Sequence, residues 1–264
     1  MYHIYINTTE YLCARGELPY DHALHEQVVA LSSWDGSEAD IFSVSCLAAA
    51  LGIVKQAFVN MQRAGDMPSP QRISFEWREL QDGTTEYLYI SGARFPIRVW
   101  MVGRIQDIEL EHFYYRPGPI LTVIEPVFEE NVRAANAVLT FLTNQTRVQQ
   151  YYDYRPHDAI TAYGHTAELD ATASTLEDTF TRTRSETHMR SRLYDATDLL
   201  DPREATVSLT SLDFDVGDLV LQEVFICRTT YGVYGDSIKG DAKYELRYLY
   251  KLADSYSMSS GQFL

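Results

Sequence analysis

The chain has little cysteine and no cysteine pairing motif. Its 264 residues include three cysteines, Cys13, Cys46 and Cys227, which are widely spaced and form no CxxC pair. An odd, scattered set of this kind indicates neither a disulfide framework nor a zinc site. It is typical of a protein that is made and kept in a reducing cytoplasm.

Positive charge and long apolar runs are also scarce. The chain has 22 Lys+Arg against 37 Asp+Glu, a net charge of −15. A nucleic-acid binder needs a basic surface to displace counterions from phosphates, and an anionic membrane would repel this chain for the same reason. No apolar run reaches the roughly 18 residues of a membrane span, and the first residues lack the cationic and apolar regions of a signal peptide. The sequence therefore argues against nucleic-acid binding by charge attraction and against a membrane location.

Core-forming residues, in contrast, are plentiful. Hydrophobic residues make up 45% of the chain and there are 19 tyrosines. This composition predicts a folded protein, and tyrosine suits half-buried sheets and subunit interfaces.

Two segments carry helical periodicity. Apolar residues recur at helical spacing from Ile41 to Met61, which predicts a helix over about 37–63. A second helix is predicted over 126–150, because Pro126 stands at its start and Glu129 and Glu130 fall in its first turn, where the helix dipole favours anions.

Most of the remaining chain alternates with a period of two. Ile73, Phe75 and Trp77 alternate with polar residues, and Asp82-Gly83 supplies a hairpin turn before the next strand. Gly103 is predicted to mark a bulge or turn. The fold class is therefore α+β: a mostly antiparallel β-barrel or sandwich with one packing helix (126–150) and an N-terminal helical extension. The predicted domains are an extension over 1–70, a β domain over 71–236 with an insertion at about 152–195, and a C-terminal strand and tail over 237–264.

The search for chemistry gives one enzymatic candidate. No phosphate-binding glycine loop is present, and His22 with His25 matches no zinc motif, so a polar loop or helix start is predicted there and no cofactor or metal is expected. Cys46 lies early in an apolar helix and His112 ends an alternating strand, an arrangement similar to that of papain-like and ovarian-tumour-type cysteine peptidases. The Asp-Gly-x-Cys signature of the latter is absent, because Ser43 stands at the Asp position. The alternative is that Cys46 is a small core residue.

Four local patterns, in order, carry a family resemblance. They are the strand Arg72-Ile-Ser-Phe-Glu-Trp, the strand Tyr87–Pro96 that ends in Ala-x-x-Pro, the strand Leu121–Glu125 that runs into a helix from Pro126 to Asn144, and the segment Asp201–Asp218. The last is followed by an alternating strand through Phe225 and Tyr231. In these patterns the chain resembles the tail-tube proteins of contractile-tailed bacteriophages, including the baseplate proteins that start the tube. The resemblance covers the chain in pieces, and residues 1–70 and 152–195 have no counterpart in the shortest tube subunits.

The resemblance implies a structural virion protein without enzymatic activity. Its expected partners are copies of itself in a ring, six if the family rule holds, together with sheath and baseplate proteins, and its expected location is the virion tail. A tube that conducts DNA must not bind it, so carboxylates lining the lumen would repel the phosphates. The candidates for that lining lie on alternating strands: Glu76, Glu86, Asp107, Glu109 and Glu111. Two alternatives remain, namely that these carboxylates form only a solvated face and that the chain is another virion-associated interaction protein.

Overall fold

A computed structural model describes residues 22–32, 34, 40–53, 73–79, 85–110, 119–144, 159–166, 190–233 and 236–255. The elements follow one another as helix α1 (His22–Ser32), β1 (Ile41–Ser43), helix α2 (Val44–Ala50), β2 (Phe75–Glu79), β3 (Thr85–Ile90), β4 (Arg98–Leu110), β5 (Pro119–Pro126), helix α3 (Glu129–Asn144), β6 (Ile160–Thr166), β7 (Arg190–Asp195), β8 (Val207–Ser208), β9 (Leu219–Val233), β10 (Asp236–Lys239) and β11 (Lys243–Ala253). Short 3₁₀ turns at Pro202–Glu204 and Ser211–Asp213 flank β8.

The strands form one mixed sheet, which confirms the predicted α+β class. Its order is β1-β4-β5-β6-β7-β11-β9-β3-β2, with β10 on β9 and β8 on β7. The β1–β4, β6–β7, β6–β11 and β7–β11 pairs are parallel, and the other pairs are antiparallel. Two further pairings, β4–β9 and β6–β11, connect strands that are not consecutive in this order.

The sheet is buried on both faces around β9. Alternate residues of β9, from Val220 to Ile226, point into the main hydrophobic core together with α2 and α3. The intervening residues, beginning with Leu219 and Leu221, pack in a second cluster with Trp100 and α1. Because both faces of this strand are covered, its first nine residues, Leu219–Cys227, are apolar except for Gln222 and Glu223.

The helix predicted over 37–63 is wrong at its start and shorter than expected. Residues Ile41–Ser43 form a strand that pairs in parallel with β4. Helix α2 begins only after Ser43, whose hydroxyl accepts a hydrogen bond from the Cys46 N–H at 3.2 Å, and it gives way to a turn in which Gly52 has φ +77°. The part of the prediction from residue 54 to 63 lies outside the described residues.

The helix predicted over 126–150 is confirmed in its central part. It runs from Glu129 to Asn144, with both glutamates in its first turn, whereas Pro126 is the last residue of β5. Residues 145–150 lie outside the described part.

The N-terminal, insertion and C-terminal segments all contribute to the sheet. Helix α1 begins where a polar loop or helix start is predicted, and it buries Val28 and Leu31, while β1 adds an edge strand. The stretch predicted as an insertion supplies β6 and β7, and β11 near the C-terminus pairs with β9 on one side and β6 and β7 on the other. The exact domain boundaries stay a prediction. None of the helices described is both long and apolar enough to cross a membrane.

Gly103 lies in the middle of β4, where no turn occurs. The strand continues through it to Leu110, and the irregularity in the β4–β5 ladder comes later, between Ile105 and Asp107. A Cβ atom at Gly103 would lie 2.6 Å from the Glu125 carbonyl oxygen, so the glycine allows β5 to approach closely.

The Gly103→Ala variant is therefore expected to lose about 1–3 kcal/mol of unfolding free energy, because the contacted atom is backbone and cannot rotate away. Urea denaturation followed by circular dichroism measures the loss. Asp107→Ala on the same strand, at an exposed position, is the matched control and is expected to change stability by less than about 0.5 kcal/mol. Equal stability of the two variants would contradict the close-approach explanation.

Candidate functional site

The two predicted lumen-lining residues on β2 and β3 do not share one face. Glu76 lies opposite Tyr89, and Glu79 lies opposite Glu86, in the antiparallel β2–β3 pair. Since directly opposed residues share a face and neighbours along a strand alternate, Glu76 and Glu86 lie on opposite faces of this hairpin.

Glu86 is on the core side and its charge is compensated. The Arg228 Nε donates a hydrogen bond to Glu86 Oε2 at 2.6 Å, and both side chains are little more than one-tenth exposed. The Arg228 guanidinium also stacks 4.2 Å from the ring centre of Trp77. A carboxylate held this way contributes little repulsion to a passing phosphate.

Glu76 and Asp107 are the more accessible candidates. Arg78 donates hydrogen bonds to the Glu76 carboxylate, and these hydrogen bonds hold the pKa of that carboxyl below its usual value. Asp107 is exposed on β4, directly opposite Val123 of β5. The backbone of Glu109 pairs with Leu121, while Glu111 lies outside the described residues.

A buried polar cluster, absent from the sequence predictions, lies on the second face of the sheet. The Glu223 side chain is 1% exposed, and its Oε2 accepts a hydrogen bond from Trp100 Nε1 at 2.9 Å. Its Oε1 lies 3.7 Å from Arg247 Nε and 4.0 Å from Arg98 Nη1. The strand register brings these side chains together, because Glu223 lies opposite Trp100 of β4 and opposite Tyr248 of β11. The one clue in the sequence is a lone carboxylate inside an apolar strand.

Aromatic rings and a second carboxylate continue the cluster. The Arg247 guanidinium lies 4.9 Å from the ring centre of Phe225, and Tyr87 donates a hydrogen bond to Glu245 at 2.7 Å. Burial, reinforced by the nearby Glu245 carboxylate, raises the pKa of the Cys227 thiol well above its usual value. A thiol in this state is protonated and a poor nucleophile. The cluster joins four strands, β3, β4, β9 and β11, as a structural unit.

A segment between β7 and β9 exposes apolar side chains. Leu200 and Leu212 are 81% and 85% exposed, and Val207 and Val216 are also largely exposed. Single exposed apolar residues are ordinary, but most of the exposed large apolar residues in the described part of the chain fall in this segment of fewer than twenty residues. We call residues 200–216 the apolar segment.

The apolar segment is held by charged contacts on both sides. At its start, Asp201 caps the first 3₁₀ turn and pairs with Arg203, and the Arg203 guanidinium lies 5.0 Å from the Trp34 ring centre. The hydrogen bonds from Arg203 lower the pKa of Asp201. At its end, Lys251 Nζ donates to the Asp213 carbonyl oxygen and lies 2.8 Å from Asp218 Oδ2.

Asp218 and Lys251 form a buried ion pair. Asp218 is 1% exposed and also accepts the N–H groups of Asp215 and Ser255, at 2.9 and 2.8 Å. Burial by itself would lower the pKa of Lys251, but its hydrogen bonds to Asp218 and Asp254 outweigh burial and raise it. Residues Asp215–Asp218 form a turn that does not join two mutually paired strands, because β8 pairs with β7 and β9 pairs with β4 and β11.

The structure does not test the proposed catalytic pair of Cys46 and His112. Cys46 is half-buried in α2 and packs against the main core, whereas His112 lies outside the described residues. The peptidase reading stays a prediction.

Metal binding likewise finds no site in the part of the chain that is described, where no group of three or more His, Cys, Asp or Glu side chains is placed to hold an ion. His22 and His25 belong to helix α1.

Comparison with protein families, curated proteins and solved structures finds no match to the chain.

Proposed function

We propose that this chain is a structural subunit of a contractile tail, phage or phage-like, which forms rings in the tail tube or in the baseplate that starts the tube. The observation that carries the proposal is a cycle of strand pairings. β4 pairs with β5, β5 with β6, β6 with β11, β11 with β9, and β9 again with β4. A cycle of this kind is what a small closed barrel would give, and it supports the architecture that the resemblance implies.

The contents of the cycle support a barrel with a filled interior. Gln222 of β9 donates a hydrogen bond to Thr122 of β5 at 2.7 Å, although these two strands are not neighbours in the sheet. Apolar side chains from β4, β6 and β11 belong to the same buried cluster. A filled interior means that any conduit runs between subunits of a ring.

The position of helix α3 is the second support. It follows β5 directly and buries Ala135, Val138 and Leu142 in the main core. A strand that runs directly into a packing helix is the third of the four patterns that carry the resemblance.

The surface of the chain favours assembly into a conduit. The exposed apolar segment is suited to burial against another subunit, where it would supply contact area between copies. The excess of carboxylates would keep DNA from binding, and Asp107 is the strongest lining candidate because it is exposed, whereas Glu76 and Glu86 are paired with Arg78 and Arg228. Sheath and baseplate proteins are the further partners, and the virion tail is the location.

Electron microscopy of the purified protein tests the proposal. We expect rings or stacked tubes with a central channel in concentrated wild-type protein. The double variant Leu200→Ser/Leu212→Ser is expected to keep its circular dichroism spectrum and melting temperature while forming fewer rings or stacks, because both side chains are exposed in the monomer. The matched control, Ile73→Ser, changes an exposed apolar residue outside the segment. Wild-type preparations that contain only monomers under all assembly conditions would refute the proposal.

A further inference from the structure

One edge of strand β2 carries no strand partner among the described residues. Within the described residues it pairs with β3 alone and ends the sheet. The Ser91 N–H donates to the Ser74 carbonyl at 2.7 Å, which makes 74 and 91 a hydrogen-bonded pair. Because such pairs alternate along an antiparallel ladder, the N–H and C=O groups of Phe75, Trp77 and Glu79 point away from β3.

We propose that this edge pairs with the same edge of a second copy, in antiparallel orientation and centred on Trp77. In that register Trp77 lies opposite the second copy's Trp77, and Phe75 lies opposite its Glu79. All the outward backbone groups then fall at hydrogen-bonded positions, as an antiparallel ladder requires. The contact has two-fold symmetry, and each copy contributes the same surface.

Charge complementarity selects this partner and this register. Glu76 of one copy lies opposite Arg78 of the other at both non-hydrogen-bonded positions, where side chains come closest. A two-fold axis at Glu76 would place two glutamates face to face, and an axis at Arg78 would oppose two arginines. The register centred on Trp77 therefore avoids like-charge pairs while satisfying the backbone.

The side chains needed for this contact are accessible. Glu76 and Arg78 form an ion pair within the chain and are still roughly two-fifths exposed, so each can also contact the opposite charge of a second copy. Phe75 and Trp77 are partly exposed beside the main core. Charged residues on an edge strand usually discourage pairing with other chains. In β2 the charges alternate in sign, so the strand is complementary to an antiparallel copy of itself. Pairing between two β2 strands is therefore not discouraged by its charges.

This inference is independent of the proposed ring. Ring contacts run head to tail, whereas the β2 contact is two-fold and joins two chains. Sedimentation velocity of the full chain over a broad concentration range separates a dimer from rings.

Charge reversal tests the contact directly. We expect wild-type protein to dimerise, and Glu76→Arg and Arg78→Glu each to weaken self-association by roughly tenfold or more, because each places like charges opposite one another. An equimolar mixture of the two variants restores both opposite-charge pairs and is expected to form a heterodimer. If mixing restores dimer formation, the weak self-association of each variant alone is not explained by misfolding, because a misfolded variant would not form the heterodimer.

A backbone variant gives a second test. Glu79→Pro removes one outward N–H without removing a β2–β3 hydrogen bond, and we expect it to weaken the dimer, while Glu79→Ala keeps that N–H and is expected to dimerise more strongly than the proline variant. Wild-type protein without dimers, variants that self-associate as the wild type does, or a mixture that stays monomeric would overturn the proposal. Loss of dimers in variants that still form rings would show that the two assemblies use different surfaces.

Discussion

Replacing Glu223 with alanine is expected to lower the unfolding free energy by about 3–5 kcal/mol, because removing one partner of a buried ion pair leaves the other charge uncompensated. Arg247 is nearly buried, and Glu223 is its ion-pair partner among the described residues. Arg98 keeps a second partner, since its Nη2 lies 3.1 Å from Asp40 Oδ1. The Trp100 N–H also loses its acceptor in the buried second face. Urea denaturation at neutral pH measures the effect.

Two further variants separate charge from packing. Glu223→Gln preserves the size of the side chain and an oxygen for Trp100 but removes the charge, so we expect a smaller loss than for alanine. Glu79→Ala removes an exposed glutamate from the edge strand and is expected to change stability by less than about 0.5 kcal/mol. If Glu223→Ala costs as little as this control, the cluster does not stabilise the fold.

The sequence predicted the elements whose signals are local. The alternation of Phe75 and Trp77 with charged residues marks β2, and it is visible because one face of that strand packs on the core. Helix α3 is marked by its acidic first turn and by apolar residues at helical spacing. In both cases residues that are close in sequence carry the whole pattern.

The sequence misplaced elements that depend on distant partners. Ile41 and Val44 have the spacing of one helix face, yet Ile41 belongs to a strand because β4 offers an edge beside it. β6 and β7 lie in a polar, threonine-rich stretch, and they become strands by pairing with each other and with β5 and β11. Tertiary pairing overrides local propensity in such segments.

The buried cluster and the distribution of the acidic residues over the two faces could not be predicted from the sequence for a similar reason. Glu223 meets Arg98 and Arg247 only because β4, β9 and β11 are neighbours, and no spacing along the chain encodes that order. Four of the predicted carboxylates lie on strands, namely Glu76, Glu86, Asp107 and Glu109. Assigning them to a face requires the β2–β3 register and the partner of each side chain. Arg228, which compensates Glu86, lies 142 positions away.

Replacing Asp218 with alanine is the second change expected to have a large effect, about 3–5 kcal/mol of unfolding free energy. Its carboxylate accepts hydrogen bonds from Lys251 Nζ and from the N–H groups of Asp215 and Ser255. One side chain therefore connects the end of the apolar segment to β11 and to Ser255, which follows β11. Asp254→Ala is the matched control, because Asp254 also contacts Lys251 but is 56% exposed, and an exposed ion pair contributes about 0–1 kcal/mol.

A double-mutant cycle with Lys251→Met identifies the origin of the loss. If the unpaired lysine causes most of it, the Asp218→Ala/Lys251→Met variant is expected to be more stable than the sum of the two single changes predicts. If the loss comes from the turn N–H groups, the two changes will be additive. Amide hydrogen exchange then gives a local measure, since weakened anchoring should raise exchange at residues 213–219 before the rest of β9 is affected. Wild-type exchange at these residues in Asp218→Ala would contradict the view that this ion pair holds the apolar segment in place.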